Sequence, residues 1–440
     1  MKRNLDLANA LGAAREQYAK QNPVSASLHE AATRVLPGGN TRTVLHFEPF
    51  PLVIKRGEGA RVWDADGHEY TDFLGEYTAG LFGHSHPHIQ AAVKHALDNG
   101  NLLCGPNEDE AELARILCER FPSVERVRFT NSGTEANLMA VAAARVHTGK
   151  PGLLVMHGGY HGGVFMFKGG NNPVNAPYPF FFGAFNDIEF TTRVIAQHAG
   201  EIAAIMVEPV MGTGGAIPAT PEFLRALRAA ADRHNIVLLF DEVMTSRVSP
   251  GGAQQHYGVV PDMTSFGKYI GGGLTFGAFG GRAEIMDLYD PRRPDALPHA
   301  GTFNNNVLTM AAGVAAMRDL YPAEVANTHS KRGEQFKQRM NEIAAKKGAA
   351  AQVTGLGTLL GLHFCPEPVR TPVDAELGSV EASALCHLFM LERGFYTSKT
   401  GLMSLALPLE IADYDNFVQA FGDFIDEHAD LLTADALRRD

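Results

Sequence analysis

Asn235-Ile-Val-Leu-Leu-Phe-Asp241-Glu242-Val243 is a continuous apolar run that ends in two carboxylates. It is too short for a buried helix and rich enough in aliphatic side chains for a strand covered on both faces. Strands of that kind belong to parallel sheets flanked by helices, and ligands bind outside their carboxyl ends. Asp241 therefore falls at the edge of a candidate site, although an acid there also reads as a cap or a solvated turn residue. The next strand-like stretch leads into Ser265-Phe-Gly-Lys268-Tyr-Ile-Gly-Gly-Gly273. Three consecutive glycines let backbone approach a ligand closely, and a lysine amine that burial strips of its proton forms Schiff bases with carbonyl compounds. By itself Lys268 also reads as a solvated loop lysine, so its neighbours must decide.

Two further segments supply that company. Val127-Arg-Phe-Thr-Asn131-Ser132-Gly133-Thr134-Glu135-Ala136 reads as a strand, a tight turn and a helix start, with Ala136, Met139, Ala140 and Ala143 on one helix face. Ser132 and Glu135 match a capping box, which locates the helix start. A free helix N-terminus attracts phosphate, whereas a closed capping box satisfies the same donors internally. In Met156-His-Gly-Gly-Tyr160-His161-Gly-Gly163 the glycines let an aromatic ring lie flat on a planar ligand, and Tyr160 is the candidate. A metal site on His157 and His161 would need a helix, which four surrounding glycines disfavour. An acid at one strand end and a lysine at the next meet the demand of pyridoxal phosphate for a carboxylate on its ring nitrogen.

Composition narrows the function classes. The chain has 440 residues, 45% of them hydrophobic and 20% charged, which suits a globular enzyme with a large and a smaller domain. A net charge of −11, without a basic block, argues against nucleic acid as a partner. Cys104, Cys118, Cys365 and Cys386 lack metal-ligand spacing and read as thiols of a reducing, cytoplasmic compartment. No segment approaches the roughly 18 apolar residues that a membrane span needs, and the first residues carry no secretory signal pattern. A nucleotide-binding loop would place its glycines before the lysine, whereas here they follow Lys268.

Along the chain, residues up to about Asn22 suggest an amphipathic helix, and the stretch after it, through Pro37-Gly38-Gly39, reads as irregular. Paired strands are expected around 50–57 and 60–67, with Asp66-Gly67 as the turn. From about Pro87 to Arg282 helical and strand-like segments alternate, which predicts an α/β fold with a mostly parallel sheet. A helical pattern after Thr302 runs through Met317, and the remainder mixes strands and helices as a smaller α+β domain. The expected division is an N-terminal segment 1–60 that packs with the small domain and the active-site mouth, a large domain 61–325, and a small domain 326–440.

The ordered set Asn-Ser-Gly-Thr-Glu-Ala, Gly-Tyr-His-Gly, Val207-Glu208-Pro209, Phe-Asp-Glu-Val, Gly-Lys-x-x-Gly-Gly-Gly and Gly301-Thr302-Phe303 resembles the class III, pyridoxal-phosphate-dependent aminotransferases of fold type I. The likeness runs from about Arg56 to about Gly313. Phe276-Gly-Ala-Phe-Gly-Gly-Arg282 is similar to the branch that holds glutamate-1-semialdehyde aminomutases and β-amino acid (β-phenylalanine) aminotransferases, and Gly301-Thr-Phe-Asn-Asn-Asn306 leans to the latter. The resemblance implies that Lys268 forms the Schiff base and shuttles a proton, and that Asp241 pairs with the pyridinium nitrogen. It implies that Ser132, Gly133 and Thr134 hold the phosphate, that Tyr160 and Val243 cover the two ring faces, and that Glu208 sits in the polar surround. Thr302 is implied to reach the cofactor of the neighbouring subunit in a homodimer with shared sites.

The expected activity is a ping-pong transfer of an amino group from a β- or ω-type amino acid or amine to a small 2-oxo acid. Arg42 is the candidate for carboxylate recognition, because its fork matches a carboxylate and such N-terminal segments fold over the site mouth; Tyr77 joins it as a substrate-side candidate. Near Tyr396-Thr-Ser-Lys399-Thr400-Gly401 the β-phenylalanine enzymes carry an arginine where this chain has Lys399 and Thr400. The alternative, an aminomutase-like isomerase, lacks its usual tryptophan-bearing stretch at Glu76-Tyr77-Thr78-Ala79-Gly80. No chemistry is assigned to Gly83-His84-Ser85-His86-Pro87.

Overall fold

The computed structural model describes residues 5–438. Its centre is a seven-stranded sheet in the order Arg126–Thr130, Gly277–Gly281, Met263–Gly267, Val237–Asp241, Ile202–Val207, Gly152–Met156, Phe180–Gly183. Six strands share one direction, and Gly277–Gly281 is antiparallel to both its neighbours. Alternate side chains serve opposite faces. Val237 and Leu239 pack with Ala136, Ala140 and Ala143 of the helix Gly133–Thr148. Leu238 and Phe240 pack with Phe223, Leu224 and Leu227 of the helix Pro221–His234. Both faces are covered, so these strands carry continuous apolar runs with no polar alternation.

The shared direction decides where chemistry can occur. Thr130, Met156, Val207, Asp241 and Gly267 all end at one edge of the sheet. The segments that follow them hold Ser132, Tyr160, Glu208, Val243 and Lys268, so residues as far apart as 132 and 268 in the chain meet along a single rim.

A separate core is built from both ends of the chain. Leu7, Leu11 and Tyr18 of the helix Leu5–Gln21 share one apolar cluster with Phe336 and Met340 of the helix Ala323–Lys346, and Phe417, Phe421 and Phe424 of the helix Ile411–Glu427. Val62, Tyr70 and Phe73 join it from the strands Arg61–Asp64 and Glu69–Asp72 and the residue that follows. Ile54–Glu58 pairs antiparallel with Arg61–Asp64 as expected. The stretch after Asn22, expected to be irregular, forms a helix over Pro23–Thr33. Its cap is remote: the Asp66 carboxylate accepts the N–H groups of Val24 (2.7 Å) and Ser25 (2.9 Å) and the Ser25 hydroxyl (2.7 Å). No local cap exists for a sequence pattern to reveal. The helix after Thr302 is also divided, with α geometry over Val307–Val314 and a π-helical turn over Ala315–Leu320.

Arg247 ties the sheet rim to the second core. Its side chain is 1% exposed, and among the described residues no carboxylate pairs with it. Its donors go to Thr358 Oγ1 (3.1 Å), Ser404 Oγ (2.7 Å) and the Leu405 carbonyl oxygen. Arg247→Ala strands those acceptors in a dry interior and leaves a cavity, so it is expected to cost about 3 kcal/mol or more. Urea unfolding followed by circular dichroism checks this; an unchanged midpoint would show that the contact contributes nothing.

Candidate active site

Lys268 follows the strand Met263–Gly267 directly and adopts φ +54°, a left-handed conformation that lysine enters at a cost. The conformation turns its side chain out of the strand's alternation. It is largely buried, and among the described residues its amine has no hydrogen-bond or ion-pair partner. Burial, helped by the positive charge of Arg42, draws its pKa down to about 8, against the opposing pull of Asp241, Glu76 and Glu208. Half of such amines are neutral near pH 8, compared with well under about one in a hundred for an ordinary lysine.

Three groups fix the Asp241 carboxylate. Oδ2 accepts from Asn137 Nδ2 and His161 Nδ1, each at 2.9 Å, and Oδ1 accepts the Val243 N–H at 3.0 Å. All but Val243 are buried. Burial works against a charge on the His161 ring, but the bond to Asp241 outweighs it and the ring pKa lies above its usual value. Among the described residues, His161 Nε2 is buried without a hydrogen-bond partner. Neither Asn137 nor His161 carries a site signal of this kind in the sequence: His161 reads there only as a metal-ligand candidate, and Asn137 sits in an alanine-rich helix. His157 stacks on Phe182 at 4.8 Å and takes no part in this cluster.

Glu208 begins just past the strand Ile202–Val207 and is also buried. Its oxygens accept the N–H groups of Tyr160 (3.1 Å) and Gly212 (3.0 Å). Burial, with Asp241 nearby, pushes its pKa up to about 7. Tyr160 remains 40% exposed at the rim and feels the charges of Asp241, Glu208 and Arg42.

The Ser132 turn opens the helix Gly133–Thr148. The Ser132 hydroxyl oxygen accepts the Glu135 N–H at 3.2 Å, but Glu135 Oε2 accepts from the Asn131 N–H at 2.9 Å and not from Ser132. The capping box is therefore half closed. Among the described residues, the N–H groups of Gly133 and Thr134 have no protein acceptor. Val243 flanks this turn closely, since a Cβ at residue 133 would lie 2.8 Å from Val243 Cγ2.

Arg42, Glu76 and Tyr77 form the outer side of the cluster. Arg42 Nη1 is paired with Glu76 Oε1, and its guanidinium lies 5.2 Å from the Tyr77 ring centre. Glu76, Tyr77 and Thr78 have φ of +48°, +52° and +81°, three successive non-glycine residues in left-handed geometry. Each costs on the order of 1–2 kcal/mol, so this turn is held by its surroundings. Lys399 donates its amine to the His46 carbonyl oxygen and so anchors the segment that carries Arg42. Thr302 lies in the exposed stretch 301–303, and among the described residues no hydrogen bond joins it to the other candidates. Asn304, two residues on, accepts from Asn131 Nδ2 at 3.0 Å.

Residues 45–425 match the class-III aminotransferase family, and the chain belongs to it. Its members depend on pyridoxal 5′-phosphate, and this chain is a class III transaminase of fold type I. The beta-phenylalanine transaminase of Variovorax paradoxus is 48% identical over 423 residues, covering 96% of this chain and 97% of that one. A crystal structure of a beta-phenylalanine aminotransferase from the same organism superposes with a TM-score of 0.96 at 47% identity, over 97% of this chain and 99% of that one. An omega-transaminase from Sphaerobacter thermophilus gives a TM-score of 0.86 at 39% identity, over 92% and 98%.

The electrostatics of Lys268 are open to direct measurement in the cofactor-free protein. The rate at which an amine reagent modifies Lys268 is expected to rise with pH through a midpoint near 8. Arg42→Ala removes a repelling cation and should move that midpoint up. Glu208→Gln removes an anion that favours the ammonium and should move it down. Peptide mapping of the modified lysine across pH checks both directions.

Proposed function

We propose that this chain transfers the amino group of a β- or ω-amino compound, including β-amino acids of the β-phenylalanine type, to a small 2-oxo acid. The observation that carries this reading is Lys268: a largely buried, left-handed lysine whose amine has no partner among the described residues, within electrostatic reach of both Asp241 and Arg42. When bound, pyridoxal 5′-phosphate supplies an aldehyde that condenses with amines and a ring that takes up an electron pair. The residues present fit that group. Gly133 and Thr134 offer unspent N–H donors at the positive end of a 16-residue helix, which suits a phosphate, and the Ser132 hydroxyl lies beside them. Asp241 keeps a lone pair beyond its three donors and is aimed by Asn137 and His161, which suits a protonated ring nitrogen. Tyr160 and Val243 are assigned to the two faces of the ring, and Glu208 to its polar edge.

Lys268 Nζ, half neutral near pH 8, removes the proton from the amino-bearing carbon of the donor and later delivers one to the acceptor. The same groups serve both half-reactions in reverse order, which gives ping-pong kinetics. A donor carboxylate competes with Glu76 for the Arg42 fork, and Tyr77 braces that guanidinium from one side. A simple amine leaves the Arg42–Glu76 pair intact. Lys399 and Thr400 stand where the resemblance implies an arginine; the Lys399 amine is committed to the His46 carbonyl oxygen and Thr400 carries no charge, so carboxylate recognition rests on Arg42.

The active form is proposed to be a homodimer in which Thr302 of one protomer reaches the phosphate held by the other. Leu102, Leu103 and Phe303, 68%, 52% and 55% exposed, supply apolar surface that a second copy would cover.

A donor panel of α-, β- and ω-amino acids and simple amines, run against pyruvate and 2-oxoglutarate, tests the activity; no turnover with any β- or ω-donor would refute it. Lys268→Ala should lose about a thousandfold or more in kcat, because the proton carrier is gone. Arg42→Ala should raise KM about tenfold for carboxylate-bearing donors and spare simple amines; equal effects on both would remove Arg42 from recognition. Light scattering checks the dimer, and Thr302→Ala should weaken cofactor retention on dialysis.

A further inference from the structure

Gly83-His84-Ser85-His86-Pro87 takes no part in the chemistry above, yet its first histidine bonds to the strand end that leads into the turn at 76–78. His84 Nε2 sits 2.9 Å from Asp72 Oδ2, and Asp72 is buried at the end of the strand Glu69–Asp72. Asp72 Oδ1 accepts the N–H groups of Leu74 (2.8 Å) and Gly75 (3.0 Å). Those two groups lead straight into the left-handed turn, with Gly75 at φ +55° ahead of Glu76, Tyr77 and Thr78. Gly75 leaves the turn no room to drift, since a Cβ there would lie 2.3 Å from the Ser404 carbonyl oxygen.

His84 is itself held in place. Its backbone exchanges two hydrogen bonds with Gly59, at 2.9 and 2.8 Å, and its ring covers Gly57, where a Cβ would lie 2.6 Å from His84 Cγ. The bond to Asp72, opposed by burial and aided by the charges of Asp72 and Glu76, raises the ring pKa above its usual value. Through Asp72 the ring is thus tied to the turn whose Glu76 grips Arg42. Three strained non-glycine residues in a row need such a tether to keep one conformation.

We propose that His84 is a positioning residue: acting through Asp72, it holds the left-handed turn so that Glu76 and Tyr77 keep Arg42 aligned in front of Lys268. This rests on the reading of Arg42 as the carboxylate site. A histidine that only stabilised the fold would change melting temperature without separating one donor class from another.

The test uses holoenzyme: wild type, His84→Ala, His84→Gln and Gly57→Ala, each assayed with a β-amino acid and a simple amine of similar size. His84→Ala should raise KM for the carboxylate donor about tenfold relative to the amine, with kcat and cofactor absorbance changed less than about twofold. His84→Gln should restore that KM to within about threefold, because its amide N–H can reach Asp72. Gly57→Ala, remote from substrate, pushes the ring off Asp72 and should reproduce the alanine result. The proposal is overturned if the donor ratio stays at the wild-type value in His84→Ala, if both donors are affected alike, or if glutamine fails to rescue. Should His84→Ala fail to fold, an unchanged ratio in Gly57→Ala overturns it equally. Wild-type enzyme that turned over neither donor would instead refute the transaminase reading, so the two failures are distinguishable.

Discussion

An amine removed from water must either give up its proton or find an anion, and Lys268 is balanced between these outcomes. Burial and the cation of Arg42 push it toward the neutral form, while Asp241, Glu76 and Glu208 favour the ammonium. A closer carboxylate would lock it as an ion pair, and a fully apolar pocket would leave it unable to carry a proton. The remaining architecture maintains that balance. Parallel strands bring Asp241 and Glu208 to the rim where Lys268 emerges, and hydrogen bonds from Asn137, His161, Tyr160 and Gly212 fix where the negative charges lie.

The two sides of the site are built by different physics. The sheet side is rigid because its strands are buried on both faces and its two carboxylates, Asp241 and Glu208, have fixed donors. The Arg42 side depends on a strained turn and a half-exposed ion pair. Such a pair contributes little to stability but yields readily to a competing carboxylate. Arg247 joins the halves, because its contact with Ser404 and Leu405 reaches the strand against which Gly75 is pressed.

Legibility in the sequence followed the range of the interaction. The strand Val237–Asp241 declared itself through an unbroken apolar run, and the turn at Ser132 through its cap and helical periodicity. The helix Pro23–Thr33 did not, since its cap is Asp66. Glu135 shows the same limit within a motif: the pattern suggests a reciprocal box, but its carboxylate accepts from the Asn131 N–H and not from the Ser132 N–H that the box requires. His161 was visible as a residue and invisible as a partner of Asp241, because 80 positions separate them.

The amino-acid order alone determined the α/β class, the edge at which chemistry occurs and the family, since each depends on local periodicity or short motifs whose backbone demands are self-contained. Tertiary structure alone decided the state of the Lys268 amine, the partners of Asp241, the left-handed turn at Glu76 and the pairing of Arg42. Those depend on burial and on charges that meet only after strands and loops far apart in sequence converge, and neither burial nor distance is written in any single stretch of the chain.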